Sequence, residues 1–340
     1  MRGYPALVNG SSPLRLGIDI GGTKCVAAVG RDDGAVLAQC RIEDWTHGEV
    51  EADLAEIVAL ARRTFQRASL EASEVTSIGV TAPGPLDVRT GVVFDAPNMR
   101  GWDGVALRAA LEDSLGRPTR LENDANAQAL AEWRHGAGQG ARSLVYLTMS
   151  TGVGGGLILE GEIVRGAHGL AGELGHMAVV PGGRPCACGL RGCLEAYTGG
   201  RALAEELRRE AAAGRAATLL ERAGGDPARL DARLWARALQ DGDATAWRIA
   251  EAFLDALAQG LATVVMGLDP ERIVLGTLVR ENASLLLPPL RERTRARVWK
   301  PLRDVEIVAG TLGRDLPARA ALAVAALPHL DQETALAPEW

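Results

Sequence analysis

The feature that most limits how this chain can fold is a device used twice: a β-compatible run, a tight glycine-bearing turn, and a second β-compatible run. It occurs in "LGIDIGGTKCVAAVG", residues 16–30, and again in "SLVYLTMSTGVGGGLILEGEIV", residues 143–164. Glycines beside a threonine and a lysine suggest a phosphate-holding loop, but the familiar spacings are missing. Both G-x-x-x-x-G-K-[ST] and G-x-G-x-x-G lead into a helix. After Lys24 comes instead a run broken by Asp32-Asp33-Gly34, a strong signal for a turn between two strands. The glycines therefore lie between strands. Such a turn still offers backbone N–H groups to an anion, because glycine puts no Cβ in the way. Asp19, beside the turn, is suited to hold Mg2+ directly or through water. A plain hairpin explains the first segment alone equally well. In the second segment Thr148 falls where Asp19 falls, and Thr151 and Gly152 fall where Gly22 and Thr23 do, which reads as an internal duplication. One hairpin per lobe predicts a nucleotide in the cleft between two domains.

The totals agree with two lobes. A chain of 340 residues, set against about 100 to 200 per domain, predicts two domains, each large enough for its own core. A formal charge of −6 argues against a general nucleic-acid surface, which needs clustered cations. No uninterrupted apolar run approaches the roughly 18 residues of a membrane helix. Residues 1–13 read as a flexible leader without a signal-peptide core, so the expected location is cytoplasmic and no membrane partner is expected. Helical periodicity covers 51–68, 124–135, 200–213, 243–266, 284–298 and 316–327, and buried-strand runs cover 75–80, 273–276 and 305–309. Gly214 and Gly267 sit where helix C-caps belong. The stretch 226–237 is irregular and receives no assignment. The pattern is that of an α/β protein with a helix-covered mixed sheet in each lobe.

Two further segments carry chemistry. In "LENDANAQALAEW", Asp124 stands at the mouth of a helix with Asn123 before it. A helix N-terminus favours a carboxylate's charge and fixes its direction, so Asp124 is suited to take a proton from an attacking hydroxyl. An N-cap role accounts for the same residues without any catalysis. In "GELGHMAVVPGGRPCACGLRGCLEAY", His176, Cys186, Cys188 and Cys193 form H-x9-C-x-C-x4-C, one imidazole and three thiolates suited to tetrahedral Zn2+. An all-protein ligand set leaves no open position, which makes the ion structural. Glu173 and Glu195 flank the cluster and are suited to accept hydrogen bonds from sugar hydroxyls; surface charge is the competing reading.

Together these residues resemble the ROK sugar kinases (repressor, open reading frame, kinase), of the two-lobed actin, Hsp70 and hexokinase-like ATPase (ribonuclease H-like) fold. The motifs "DIGGTK", "APGPLD", "ENDANA", "STGVGGG", "GELGH", "CACGLRGCLE" and "LDPERIVLG" spread the likeness over residues 14–327. The resemblance implies an N-terminal lobe over 14–122 joined by a C-terminal helix at 313–328, and a larger lobe over 123–312 with a zinc loop at 173–195. It implies Asp124 as catalytic base, and Asn123, Glu173, His176 and Glu195 as sugar ligands, with Gly84 and Asn98 lining the same pocket. Asp19, Gly21, Gly22, Thr23 and Lys24, with Thr151 and Gly152, become the metal and phosphate contacts, and Gly276 the adenosine contact. The expected cofactors are ATP with Mg2+ and a structural Zn2+. The expected reaction is phosphorylation of a hexose, glucose first, with N-acetylmannosamine, other N-acyl amino sugars, mannose, fructose or allose behind it. A homodimer or homotetramer is the expected assembly. The repressor branch needs a helix-turn-helix ahead of the first turn, and only about a dozen residues precede Leu14, so no nucleic-acid partner is expected. Two departures stand out: Thr277 follows Gly276 where relatives commonly have a second glycine, and the last helix lacks the usual glycine at its start.

Overall fold

The computed structural model describes residues 12–328 apart from 44, 46, 47, 95–98 and 100. The strands are β1 (Leu14–Ile20), β2 (Lys24–Arg31), β3 (Val36–Glu43), β4 (Ser77–Ala82), β5 (Leu86–Asp87), β6 (Val92–Val93), β7 (Thr119–Asn123), β8 (Leu144–Met149), β9 (Val153–Leu159), β10 (Glu162–Ile163), β11 (Arg272–Leu275) and β12 (Glu306–Ala309). The helices are α1 (Val50–Ala68), α2 (Leu107–Leu115), α3 (Asp124–His135), α4 (Glu195–Thr198), α5 (Gly200–Ala212), α6 (Ala217–Arg222), α7 (Ala232–Gln240), α8 (Ala244–Leu268), α9 (Thr277–Glu281), α10 (Ala283–Arg297) and α11 (Leu316–Ala325). One five-stranded sheet has the order β3-β2-β1-β4-β7 and the other β10-β9-β8-β11-β12. Both are mixed: an antiparallel hairpin on one side and parallel strands on the other.

By contacts the chain forms two compact units. The first holds the residues up to Gly140, Gly156–Ala171 and those from Leu312 on; the second holds Ala141–Gly155 and Gly172–Thr311. This division keeps α3, and with it Asp124, in the first unit, past the 122/123 boundary expected from the resemblance. The reason is packing: Ala127, Leu130 and Ala131 of α3 share a core with Ala320, Ala323 and Val324 of α11.

Period-2 alternation builds the first sheet. Leu16, Ile18 and Ile20 of β1 and Ile78 and Val80 of β4 turn one face into a core with Ile57, Leu60 and Phe65 of α1. On the other face Gly17 and Gly79 are directly paired in the parallel register. A Cβ at Gly17 would stand 2.7 Å from the Leu322 nitrogen, and one at Gly79 2.9 Å from the Ala325 Cα. This glycine pair lets the alanine-rich α11 lie directly on the strands. Asp19 shares that face at the C-terminal end of β1, where its register partner is Thr81.

In the second unit β8, β11 and β12 run parallel, and Leu144, Val145, Leu147, Ile273, Val274 and Leu275 are fully buried, as expected of strands covered on both faces. The helix α8 is long and apolar enough to cross a membrane by composition alone, but 67% of that window is buried inside the protein, where the helix packs on α10, α7 and α4.

Three local expectations need correction. The unassigned stretch 226–237 contains a short turn at Pro227–Arg229 and the start of α7, because Asp226 and Asp231 accept the Ala228 and Leu234 N–H groups at 2.9 and 2.8 Å. Gly267 lies inside α8; the cap is Asp269, in the left-handed region at φ 44°. The strand expected at 75–80 is β4, shifted two residues toward the C-terminus.

Candidate active site

The first hairpin turn, Gly21-Gly22-Thr23, is closed by the Gly21 N–H donating to the Lys24 carbonyl at 2.8 Å. Thr23 and Lys24 are exposed. The Lys24 ammonium lies 3.2 Å from Glu43, its cross-strand partner on β3. Behind the turn the Thr81 hydroxyl donates to Asp19 Oδ1 at 2.5 Å. Desolvation raises the Asp19 carboxyl above its ordinary value, and the Thr81 hydrogen bond pulls it back. Oδ2 has no partner among the described residues. A desolvated carboxylate with one oxygen fixed and the other open fits a hard cation held directly or through water.

The parallel register brings further groups to the same edge. Asp19 pairs with Thr81, Thr81 with Glu122, and Ala82 with Asn123, so the C-terminal ends of β1, β4 and β7 lie side by side. Sites in open α/β sheets favour such an edge. Gly84, just past β4, would place a Cβ 3.4 Å from Asn123 Nδ2. Asn123 is the N-cap of α3: its Oδ1 accepts the Ala125 and Asn126 N–H groups at 2.9 and 3.3 Å, leaving Nδ2 toward Gly84. Asp124 Oδ1 accepts the Ala125 N–H at 2.7 Å, so its carboxylate is held at the positive end of α3. Behind them Glu122, 1% exposed, accepts from the Asn123 N–H and Asn126 Nδ2 at 3.1 and 3.2 Å. Its other oxygen takes the Arg165 guanidinium at 2.7 Å. Sequence reasoning missed Thr81, Glu122 and Arg165. For Thr81 the only signal is its register with Asp19, which needs the parallel pairing to be known.

In the second unit the turn Ser150-Thr151-Gly152 is closed by the Ser150 N–H donating to the Gly152 carbonyl at 2.9 Å. The start of α5 braces it, the Gly200 and Arg201 N–H groups donating to the Ser150 and Thr151 carbonyls at 2.8 and 3.0 Å. Glu195 Oε2 accepts the Val153 N–H at 2.8 Å, and its Oε1 lies 3.7 Å from Cys186 Sγ. Cys186 Sγ lies 3.7 Å from His176 Nδ1, and His176 Nε2 lies 3.9 Å from Glu173. Glu195 therefore connects the second turn to the cysteine cluster, and the two nitrogens of His176 face different neighbours. Gly276 follows β11 with its N–H on the Leu147 carbonyl. Thr277 adopts φ 37°, where glycine is at ease, and its hydroxyl is 2.7 Å from that of Thr148. Asn98 lies outside the described residues.

The cysteine cluster passes a geometric test. The ligand atoms of His176, Cys186, Cys188 and Cys193 all lie within 4.8 Å of one another. Zn–S bonds of about 2.3 Å at the tetrahedral angle put two sulfurs about 3.8 Å apart, and a sulfur and a nitrogen about 3.6 Å apart. Cys188 Sγ and Cys193 Sγ are 3.7 Å apart, as are Cys186 Sγ and His176 Nδ1. That separation is far beyond the roughly 2.05 Å of a disulfide. Desolvation, with hydrogen bonds to the neighbouring thiols, pushes Cys186 up to about 12, so its thiolate calls for a cation.

Two mixed sheets that each open on a strand–turn–strand hairpin, with a carboxylate beside the first turn, define an α/β protein of the actin-like ATPase fold. The chain belongs to the ROK family, whose model matches residues 15–327. It is 33% identical over 301 residues to a glucokinase of Thermotoga maritima, covering 88% of this chain and 93% of that protein. Among solved structures it is similar to a ROK hexokinase from Thermus thermophilus, with TM-score 0.77, 35% identity, and coverage of 92% of this chain and 97% of that one. It is also similar to a ROK family glucokinase from Streptomyces griseus in complex with glucose and AMPPNP, with TM-score 0.78, 32% identity, and coverage of 92% and 99%.

Proposed function

We propose that this protein is an ATP-dependent hexose kinase that converts glucose to glucose 6-phosphate, with Asp124 as general base. The observation that carries the reading is the Asp124 carboxylate held at the N-terminus of α3, next to the Asn123 cap and on the sheet edge that also presents Asp19. The glucokinase relatives and the glucose and AMPPNP complex of the Streptomyces griseus protein support the substrate pair.

In this reading Asp124 accepts the proton of the sugar hydroxyl. The oxygen forms a bond to the γ-phosphorus as the bond to the β-bridging oxygen breaks, and ADP leaves with that electron pair. Asn123 and Gly84 line the sugar site, with Glu173 and Glu195 as acceptors for the other hydroxyls, the ring N–H that His176 keeps when its other nitrogen holds metal as a donor, and Asn98 as a further ligand. Gly21, Gly22, Thr23 and Lys24, with Thr151 and Gly152, contact the phosphates, and Gly276 the adenosine. Asp19 holds Mg2+ with the nucleotide; when bound, that ion neutralises phosphate charge. His176, Cys186, Cys188 and Cys193 hold a structural Zn2+ that orders the loop carrying Glu173 and Glu195. Assembly as a homodimer or homotetramer and a cytoplasmic location complete the reading.

The test is a coupled ADP-release assay over a panel of hexoses that includes N-acetylmannosamine, mannose, fructose and allose. Highest kcat/KM with glucose is the expected result. A clear preference for another sugar overturns the substrate, and no ADP release with any sugar overturns the kinase reading.

A further inference from the structure

Three arginines of the first unit face one recess that the reading above does not use. Arg108 at the start of α2, Arg120 on β7 and Arg165 after β10 line it together with Thr119 and Leu327. Arg108 is only 7% exposed. Its terminal nitrogens donate to the Val88 and Arg89 carbonyls, and Arg120 Nη1 donates to the Ala325 carbonyl at 3.1 Å. The Nε atoms of both are buried and have no hydrogen-bond partner. Neither guanidinium pairs with a carboxylate among the described residues, whereas Arg165 is balanced by Glu122 and the nearby Arg15 by Asp32. The buried Arg108 and the half-buried Arg120 thus have only neutral carbonyls as hydrogen-bond partners among the described residues.

We propose that Arg108, Arg120 and Arg165 form a second anion site, which takes a phosphoryl group, either as inorganic phosphate or on a monoester. The recess is small: about 20 Å3 of room for a water-sized group admits one inward-directed oxygen of an anion seated at its mouth and excludes a sugar ring. Guanidinium forks match the tetrahedral oxygens of phosphate. Desolvation lowers both Arg108 and Arg120 from the usual arginine value, and the like charges of Arg15 and Arg108 lower Arg120 further. Asp87 and Glu112 offset part of this at Arg108, and Asp32 at Arg120. A bound anion would relieve both penalties.

The site is also wired to Asn123. Arg120 precedes Asn123 by three positions, about 10 Å along a strand. Arg165 holds one oxygen of Glu122, whose other oxygen holds the Asn123 N–H and Asn126 Nδ2. An anion that draws on Arg165 loosens its grip on Glu122 and so shifts the cap from which α3 and Asp124 begin.

The test is thermal unfolding of the full chain with increasing inorganic phosphate at constant ionic strength, in wild type and R120Q. Phosphate bound at any other site affects both proteins alike, so their difference isolates this one. Wild type is expected to gain a saturable stabilisation, and R120Q to bind about tenfold more weakly. Equal stabilisation of the two proteins overturns the proposal. R120K, which keeps the charge without the fork, guards against misfolding and is expected to fall between them; R120K no weaker than wild type overturns the forked site. Parallel titrations with glucose 6-phosphate separate the sources: a matching R120-dependent shift assigns a monoester, and a shift with inorganic phosphate alone assigns the free ion.

Discussion

Replacing Gly152 by alanine separates the role of the second turn from that of the metal cluster. The backbone of Gly152 is open to alanine, but the new Cβ would stand 3.2 Å from Glu195 Cδ and closer still to Oε2. The carboxylate lies at the end of a flexible side chain, so it swings away by about 1 Å rather than straining the turn. That movement takes the 2.8 Å hydrogen bond from the Val153 N–H past the hydrogen-bonding limit. A hydrogen bond to a charged group is worth about 1.5 to 3 kcal/mol. If the turn holds the triphosphate, the loss appears as a roughly 10- to 100-fold rise in KM for ATP, since about 1.4 kcal/mol is tenfold. The assay is steady-state kinetics at saturating glucose, with zinc content measured on the same sample. The reasoning fails if KM for ATP stays within twofold of wild type, or if zinc is lost along with affinity.

Three other outcomes are expected. Metal analysis should find about one zinc per chain, with C188S lowering both zinc content and glucose affinity; full zinc occupancy in C188S would remove that residue from the ligand set. Gly79→Ala should destabilise the fold by about 3 kcal/mol, since the Cβ meets α11 backbone that cannot swing aside, and chemical denaturation reads this directly. Glu210 is buried between Arg215 and Arg248, and hydrogen bonds from Arg215 first, then Arg248, hold its carboxyl at about 2 against an ordinary 4.5. Its contribution is therefore complete above about pH 4.5 and lost as pH falls toward 2. Because both arginines are half-exposed, solvent screening limits it to about 1 to 2 kcal/mol, so E210Q should lower stability at pH 7 and flatten the acid limb.

What could be read from the sequence follows the range of the forces involved. The turns that follow β2 and β9 were legible because turn chemistry is local: Asp32-Asp33-Gly34 and Glu160-Gly161 need only their neighbours to bend the chain. The zinc-type cluster was legible because its ligands lie within eighteen positions and their chemistry is unusual. The Asp19–Thr81 contact was not, since it spans 62 positions and depends on which strands pair. The helix α7 escaped because its buried side is carried by Trp235, Ala238 and Leu239 alone, and its start is set by an aspartate cap within an irregular stretch. Gly267 looked like a cap by type, but the buried Val264 and Val265 carry α8 through to Leu268 before Asp269 turns it. Glu195 stands out in the sequence by its place beside the last cysteine, but its hold on the Val153 N–H was not legible, because nothing in the spacing of the two residues predicts their contact.

The central claim is that Asp124 removes the proton of the accepting hydroxyl. Its most direct test is the kcat of Asp124→Asn under saturating glucose and Mg-ATP, with glucose binding measured independently. Asparagine keeps the size and the hydrogen bond to α3 but cannot accept the proton, so kcat should fall by about 10² to 10⁴ while glucose still binds. Turnover at the wild-type rate would show that another group takes the proton.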